Sequence, residues 1–133
     1  MATTNIKAVL DYNIEAVWEV VTSLDNYAWR SDLSKIEVVD VGKKFVEYTK
    51  NGYATTFTLT SFEPMSRYEF DMNNKNMHGH WVGLFSNDNG RTKIDFTENV
   101  TPQKIFLKPF VNKYLKKQQA AYIADLRKAL ALL

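Results

Sequence analysis

Apolar and polar positions change their period twice along the chain. "ATTNIKAVLDY" (2–12) alternates in the manner of a first strand. Asn13 then stands as an N-cap before "IEAVWEVVTSL" (14–24), where Ile14, Val17, Trp18 and Val21 recur at helical spacing and predict one inward face. "DNYAWRSDLS" (25–34) predicts a short second helix or turn centred on Trp29. From Ile36 the period drops to two, in short runs rich in Val, Thr, Tyr and Phe. Gly42, "KNGY", "EPMS", "NNKN" and "DNGR" separate these runs as hairpin turns, so strands are predicted near 36–41, 44–50, 53–62, 66–73, 76–87 and 91–100. Beyond Pro102 a long helix is predicted, irregular before Pro109, with Val111, Leu115, Tyr122, Leu126, Leu130 and Leu133 as its apolar stripe.

A two-residue turn determines which residues face one another across a hairpin. A turn at Asn89-Gly90 sets Phe85 opposite Ile94, Gly83 opposite Phe96, and Trp81 opposite Glu98. A turn at Asn74-Lys75 sets Tyr68 against Trp81, Phe70 against Gly79 and Met72 against Met77. Pro64-Met65 sets Leu59 against Phe70 and Ser61 against Tyr68, and Asn51-Gly52 sets Tyr48 against Thr55 and Val46 against Phe57. One face of the sheet is then predicted to be aromatic, with Val46, Tyr48, Phe57, Tyr68, Phe70, Trp81, Phe85 and Phe96 among its members. The register of 36–41 stays open because of Gly42.

The two histidines, His78 and His80, fall on the opposite face, with Asp71 and Glu69 as their expected cross-strand partners. A His-x-His pair on a strand can begin a metal site. These two point away from the aromatic face and read as surface rungs, so neither a metal nor a catalytic histidine is expected.

Composition adds a few limits. A chain of 133 residues is most simply one domain, 1–133, able to bury roughly two thirds of its unfolded surface. Aromatic residues make up 14% of it, enough to line something large and flat. Without cysteine there is no disulfide, thiolate metal site or cysteine nucleophile. No apolar run reaches the roughly 20 residues of a membrane span, and the N-terminus lacks the pattern of an export signal, so a soluble, cytoplasmic protein is expected. The net charge of +2 is uneven: residues 1–90 carry 8 Lys/Arg against 12 Asp/Glu, and residues 91–133 carry 9 against 3. Lys104, Lys108, Lys113, Lys116 and Lys117 are read as a solvated helix face, since they lack the arginines that nucleic-acid readers favour.

The order strand, helix, short helix, six-stranded meander and long helix resembles the START/Bet v 1-like (SRPBCC) superfamily, in particular its bacterial polyketide cyclase/dehydrase group. The likeness rests on "NIEAVWEVVTSLDNYAWRSDLSKIEVVD" (13–40), "LTSFEPMSRYEF" (59–70) and "GHWVGLFSNDNGRTKIDFTENV" (79–100). The resemblance implies an α+β helix-grip fold: a strongly curved antiparallel sheet of about seven strands around the C-terminal helix, with two short helices between the first two strands. It also implies a cavity for a small apolar molecule. Members include carriers of lipids, sterols and hormones, ring-closing cyclases, and domains related to a chaperone activator.

The expected lining is Trp29, Tyr48, Phe57, Tyr68, Phe70, Trp81, Phe96, Glu98 and Tyr122. Glu98 is the outstanding member, because a carboxylate on an aromatic face must be hydrogen-bonded or neutral. Its expected structural partner is the Trp81 indole or a tyrosine hydroxyl, and it is also the best catalytic candidate. The leading expectation is binding of a small hydrophobic or aromatic molecule without a cofactor. The alternatives are a cyclase or dehydratase moving protons through Glu98 and tyrosines, and a protein-interaction domain using the lysine-bearing helix or a sheet edge. Oligomeric state and ligand identity stay open.

Overall fold

A computed structural model describes residues 2–103 and 108–133 of the chain. Seven antiparallel strands, β1 (Ala2–Leu10), β2 (Leu33–Asp40), β3 (Lys44–Thr49), β4 (Ala54–Glu63), β5 (Arg67–Asn73), β6 (Met77–Asp88) and β7 (Arg91–Pro102), form one sheet in the order β1-β7-β6-β5-β4-β3-β2. Helix α1 (Ile14–Thr22) follows β1, and the long helix α2 (Lys108–Ala131) follows β7. The meander keeps sequence neighbours adjacent, and β1 joins the far side of β7 to complete the sheet.

Asn13 caps α1 as expected, its Oδ1 accepting from the Ala16 amide at 2.8 Å. Val17, Trp18 and Val20 are buried on the inner face, with Ile14 and Val21 packed beside them. Trp18 is a packing residue, edge-on to Phe85 at 4.9 Å and to Phe62 at 5.4 Å. The second short helix expected over 25–34 does not form: 23–32 are bends and turns, and β2 begins at Leu33. Polar side chains compete with helical bonding here. Ser23 Oγ accepts from the Asn26 amide, and the Trp29 indole donates to the Asn26 carbonyl.

The turns decide the faces of the strands. Asn89 and Gly90, at φ 53° and 88°, make the expected two-residue turn, and all the β6–β7 pairs follow, including Trp81 with Glu98. Between β5 and β6 the turn lies one residue later, at Lys75-Asn76, because Asn74 Oδ1 accepts from the amides of Asn76 and Met77. Partners therefore shift by two: Phe70 faces Trp81, Tyr68 faces Gly83 and Met72 faces Gly79. A shift of two preserves which face each side chain occupies.

Pro64-Met65-Ser66 forms a three-residue turn, and a bulge at Thr60 cancels its extra residue, so Leu59 does face Phe70 while Ser61 faces Glu69 instead of Tyr68. No such bulge corrects the next hairpin. Lys50-Asn51-Gly52 is also a three-residue turn, closed by the Thr49 amide on the Tyr53 carbonyl, with Gly52 in the left-handed region at φ 79°. This slip of one residue reverses β3: Phe45 and Glu47 point inward, and Val46 and Tyr48, expected inside, point outward. Tyr48 instead sits under the Lys35 ammonium, 4.7 Å from its ring centre.

The core combines Leu10, Val17, Trp18, Phe45, Phe57, Tyr68, Phe70, Phe85, Ile94 and Phe96 with Ile123, Leu126 and Leu130 of α2. Val111 and Leu115 close a smaller cluster with Ala2 and Val100. In the helix stripe, Gln119 and Ile123 fill the middle, Tyr122 lies at its flank, and Leu133, expected inside, is exposed. The irregularity expected before Pro109 falls on 104–107, outside the described residues.

On the outer face His80 Nδ1 meets Asp71 at 2.6 Å and Nε2 meets Glu69 at 2.9 Å, while His78 faces Asn73. The shifted register gives both carboxylates to one imidazole. Burial lowers the His80 pKa, but the two carboxylates outweigh it and leave it raised. A raised folded pKa means the pair stabilises fully below the ordinary histidine value and less as pH rises through the folded one. We therefore expect His80→Gln to lose stability relative to wild type by under about 1 kcal/mol at pH 5.5, and by less at pH 8.5, in urea denaturation.

Candidate functional site

Between the inner face of the sheet and α2 lies a cavity of about 930 Å³. Its wall is a run of contacting rings. Phe70 stacks on Trp81 with centroids 4.9 Å apart, Trp81 meets Phe96 at 4.8 Å, and Phe57 lies between Phe45 and Phe70 at 5.0 Å from each. Gly83 makes this arrangement possible. A Cβ there would come within 2.4 Å of the Trp81 ring, so the indole lies along its own strand over the bare glycine. Of the expected lining, Trp29, Phe57, Tyr68, Phe70, Trp81, Phe96, Glu98 and Tyr122 border the cavity, and Tyr48 does not.

The segment 29–32 forms a strap over one side. Trp29 is edge-on to Tyr122 at 5.4 Å, and the Arg30 guanidinium lies 5.1 Å from the Tyr122 ring centre. Arg30 donates from both terminal nitrogens to Glu47, at 3.0 and 3.2 Å, and also to Asp32. Ser31 donates its amide and hydroxyl to Asp125 of α2. One short segment is thus tied to both β3 and α2. Burial works against the Arg30 charge, but Glu47 and Asp32 outweigh it and hold the guanidinium ionised. Burial pushes the Glu47 carboxyl up, and Arg30 opposes that shift.

Sequence reasoning passed over both members of this pair. Arg30 has no partner visible in the sequence beside Trp29, and a two-residue turn at Asn51-Gly52 directs Glu47 outward, where the three-residue turn observed directs it inward. The signal for Glu47 was the triplet Lys50-Asn51-Gly52, which fits a three-residue loop with glycine in its left-handed position as well as it fits Asn-Gly alone.

Glu98 projects into the cavity from β7, flanked by Thr4 on β1 and Trp81 on β6. Burial pushes its pKa up to about 7, and among the described residues no hydrogen bond or opposite charge counters it. The expected bond from the Trp81 indole or a tyrosine is absent among the described residues. Also bordering the cavity, Tyr53 donates to Asn74, and Phe110 and Tyr114 of α2 are exposed. Nearby, Gln119 is 7% exposed, and its Nε2 finds no partner among the described residues. Chemically, the site is a large, mainly apolar hollow with one unpaired buried carboxyl and one idle amide among the described residues.

The family model for polyketide cyclase/dehydrase and lipid transport proteins matches residues 1–131. The chain belongs to that family. No curated protein matches it significantly in sequence. Among solved structures, a conserved protein from Geobacillus kaustophilus is similar at a TM-score of 0.85 and 13% identity, over 98% of this chain and 95% of that one. A START superfamily protein from Mycobacterium smegmatis superposes at 0.83 with 9% identity, covering 98% and 97%. The Aha1 dimer from Colwellia psychrerythraea gives 0.74 and 16% identity, over 98% and 96%. At these identities the likeness concerns the fold, which is the helix-grip fold of START proteins. Membership of the polyketide cyclase/dehydrase and lipid transport family suggests hydrophobic ligand binding or cyclase chemistry. No helix among the described residues is long and apolar enough to cross a membrane.

Two stability tests follow. Arg30→Met leaves Glu47 without its partner and should cost about 2–4 kcal/mol, at the lower side of a fully buried pair because both side chains keep roughly 15% exposure. Adding Glu47→Leu should recover most of the loss in a double-mutant cycle read by urea denaturation. For Glu98, the folded protein holds the proton more tightly than the unfolded chain. Stability is therefore lost as pH rises from the ordinary carboxylate range to about 7. Glu98→Gln should be more stable than wild type at pH 8 by up to about 3 kcal/mol, and by clearly less at pH 5, in paired thermal melts.

Proposed function

We propose that this protein binds a small hydrophobic or aromatic molecule in the cavity between the sheet and α2. The observation that carries the reading is the hollow of about 930 Å³, walled by stacked aromatic rings. That size lies in the range of small-molecule sites. Phe96 meets Tyr122 of α2 at 6.1 Å, while Phe57, Phe70 and Trp81 also border the hollow. Trp29, Phe57, Tyr68, Phe70, Trp81, Phe96, Glu98 and Tyr122 are the proposed contacts, and Tyr48 is not. A ligand burying roughly 250 Å² of apolar surface would gain about 6 kcal/mol before association costs, which corresponds to modest affinity.

A second reading, cyclase or dehydratase catalysis, draws on Glu98. A lone carboxyl with a pKa of about 7 inside an apolar space is suited to exchanging a proton with an enolisable substrate. On this reading the residue acts as acid and base in turn, and the aromatic wall holds the substrate in position.

Native mass spectrometry of protein purified from its own host without added ligand distinguishes the two. A co-purifying apolar small molecule is expected for a carrier, whereas an empty protein that turns over a polyketide would favour the enzyme. Met72, which borders the cavity from β5, supplies a direct check. Met72→Trp should weaken binding of the neutral probe Nile red at least tenfold while unfolding stays cooperative; unchanged binding would place the probe elsewhere.

A further inference from the structure

We infer that the cavity favours an apolar molecule carrying a protonated amine and disfavours an anionic one. This inference rests on the ligand-binding reading and deepens it. Five described residues that border the cavity bear ionisable acid or guanidinium groups: Arg30, Asp32, Glu47, Glu98 and Asp125. The single cation among them is already engaged by Glu47 and Asp32. A carboxylate or phosphate head would meet no uncommitted positive group among the described residues that border the cavity, and would approach the buried, unpartnered Glu98.

Glu98 supplies the attractive half. From β1 its neighbour is Thr4, from β6 Trp81, and from α2 Tyr114, with Gln118 and Gln119 bordering the same space. None of these carries charge near neutral pH. An ammonium placed there would give the carboxylate the partner it lacks among the described residues. Gln119 marks a second polar demand on the same cavity: its amide is more than nine-tenths buried and its nitrogen has no partner among the described residues, so it can donate to an acceptor such as a hydroxyl elsewhere on the ligand, and it does not itself select the ammonium.

The carboxylate must be ionised to pair with an ammonium, so binding of an amine should drive its proton off. With an empty-site pKa of about 7, amine affinity should rise about tenfold between pH 6 and pH 8, while a neutral ligand of the same shape should show no such rise.

The test displaces Nile red from the full chain with decylamine, decanol and decanoate, each below its aggregation concentration. At pH 8 decylamine should displace at least tenfold more effectively than decanoate, with decanol between them, and the amine-to-alcohol ratio should fall about tenfold at pH 6. Glu98→Gln should bring that ratio close to one at both pH values, a readout that general weakening of the cavity does not move. Nile red binding with decanoate equal to or better than decylamine overturns the inference, as does an amine preference that survives Glu98→Gln in a cooperatively folded variant. If neither Nile red nor any decyl compound binds, calorimetry included, the ligand-binding reading itself fails.

Discussion

A sheet bent over one helix leaves a hollow that has to be closed at its open side, and the Arg30–Glu47 pair performs that closure. The guanidinium bridges a loop with no regular structure of its own to the inward face of β3, and the neighbouring Ser31 holds the same loop to α2 through Asp125. Trp29 and Tyr122 meet edge to face beside these contacts. Without the pair, the strap would rest on the Ser31–Asp125 bonds and the local bonds of 23–30, and Glu47 would face an apolar space as an uncompensated charge. The ion pair is therefore better understood as a positional device than as a source of net stability. Two ions largely withdrawn from water gain little over apolar residues of the same shape, but they accept only one register of the loop on the strand.

Within the enclosed space, hydrophobic and electrostatic demands are separated. The rings of Phe45, Phe57, Phe70, Trp81 and Phe96 make a continuous wall by stacking and edge contacts, which requires Gly83 beneath the indole. Glu98 stands in this wall without a partner, and its burial is a standing cost that a folded protein has no structural reason to carry. Arg30 and Glu47 show that the same chain can satisfy a charge pair nearby when the geometry is arranged for it. The contrast sets Glu98 apart as a buried charge that the fold leaves unpaired among the described residues, which is what the proposed roles in recognition or proton exchange draw on. The outer face carries no such tension. His80 there is held by two carboxylates at the edge of water, and its imidazole is directed away from the hollow.

Much of the architecture was legible in the alternation of apolar residues, because the period of a side-chain pattern is a local property that each strand and helix must respect. The strand count, the capped first helix, the long final helix, the inward Trp81 and Glu98 and the outward histidines all follow from it. The expected pairing of β5 with β6 was displaced by two residues without consequence for the faces, since a two-residue shift preserves side-chain direction. What the residues alone left undecided depended on single-residue counts in loops. The bulge at Thr60 cancels the extra turn residue on one side of β4, and nothing cancels it at Lys50–Gly52 on the other, so β3 reverses and exchanges Tyr48 for Glu47 at the cavity. Arg30 could be recognised as functional only after that reversal, because its partner lies 17 residues away and faces it only in the assembled sheet. Sequence by itself thus determined which faces are apolar, a matter of local periodicity. Tertiary structure decided which charges meet inside, because turn geometry and long-range pairing set absolute register and no local pattern encodes it.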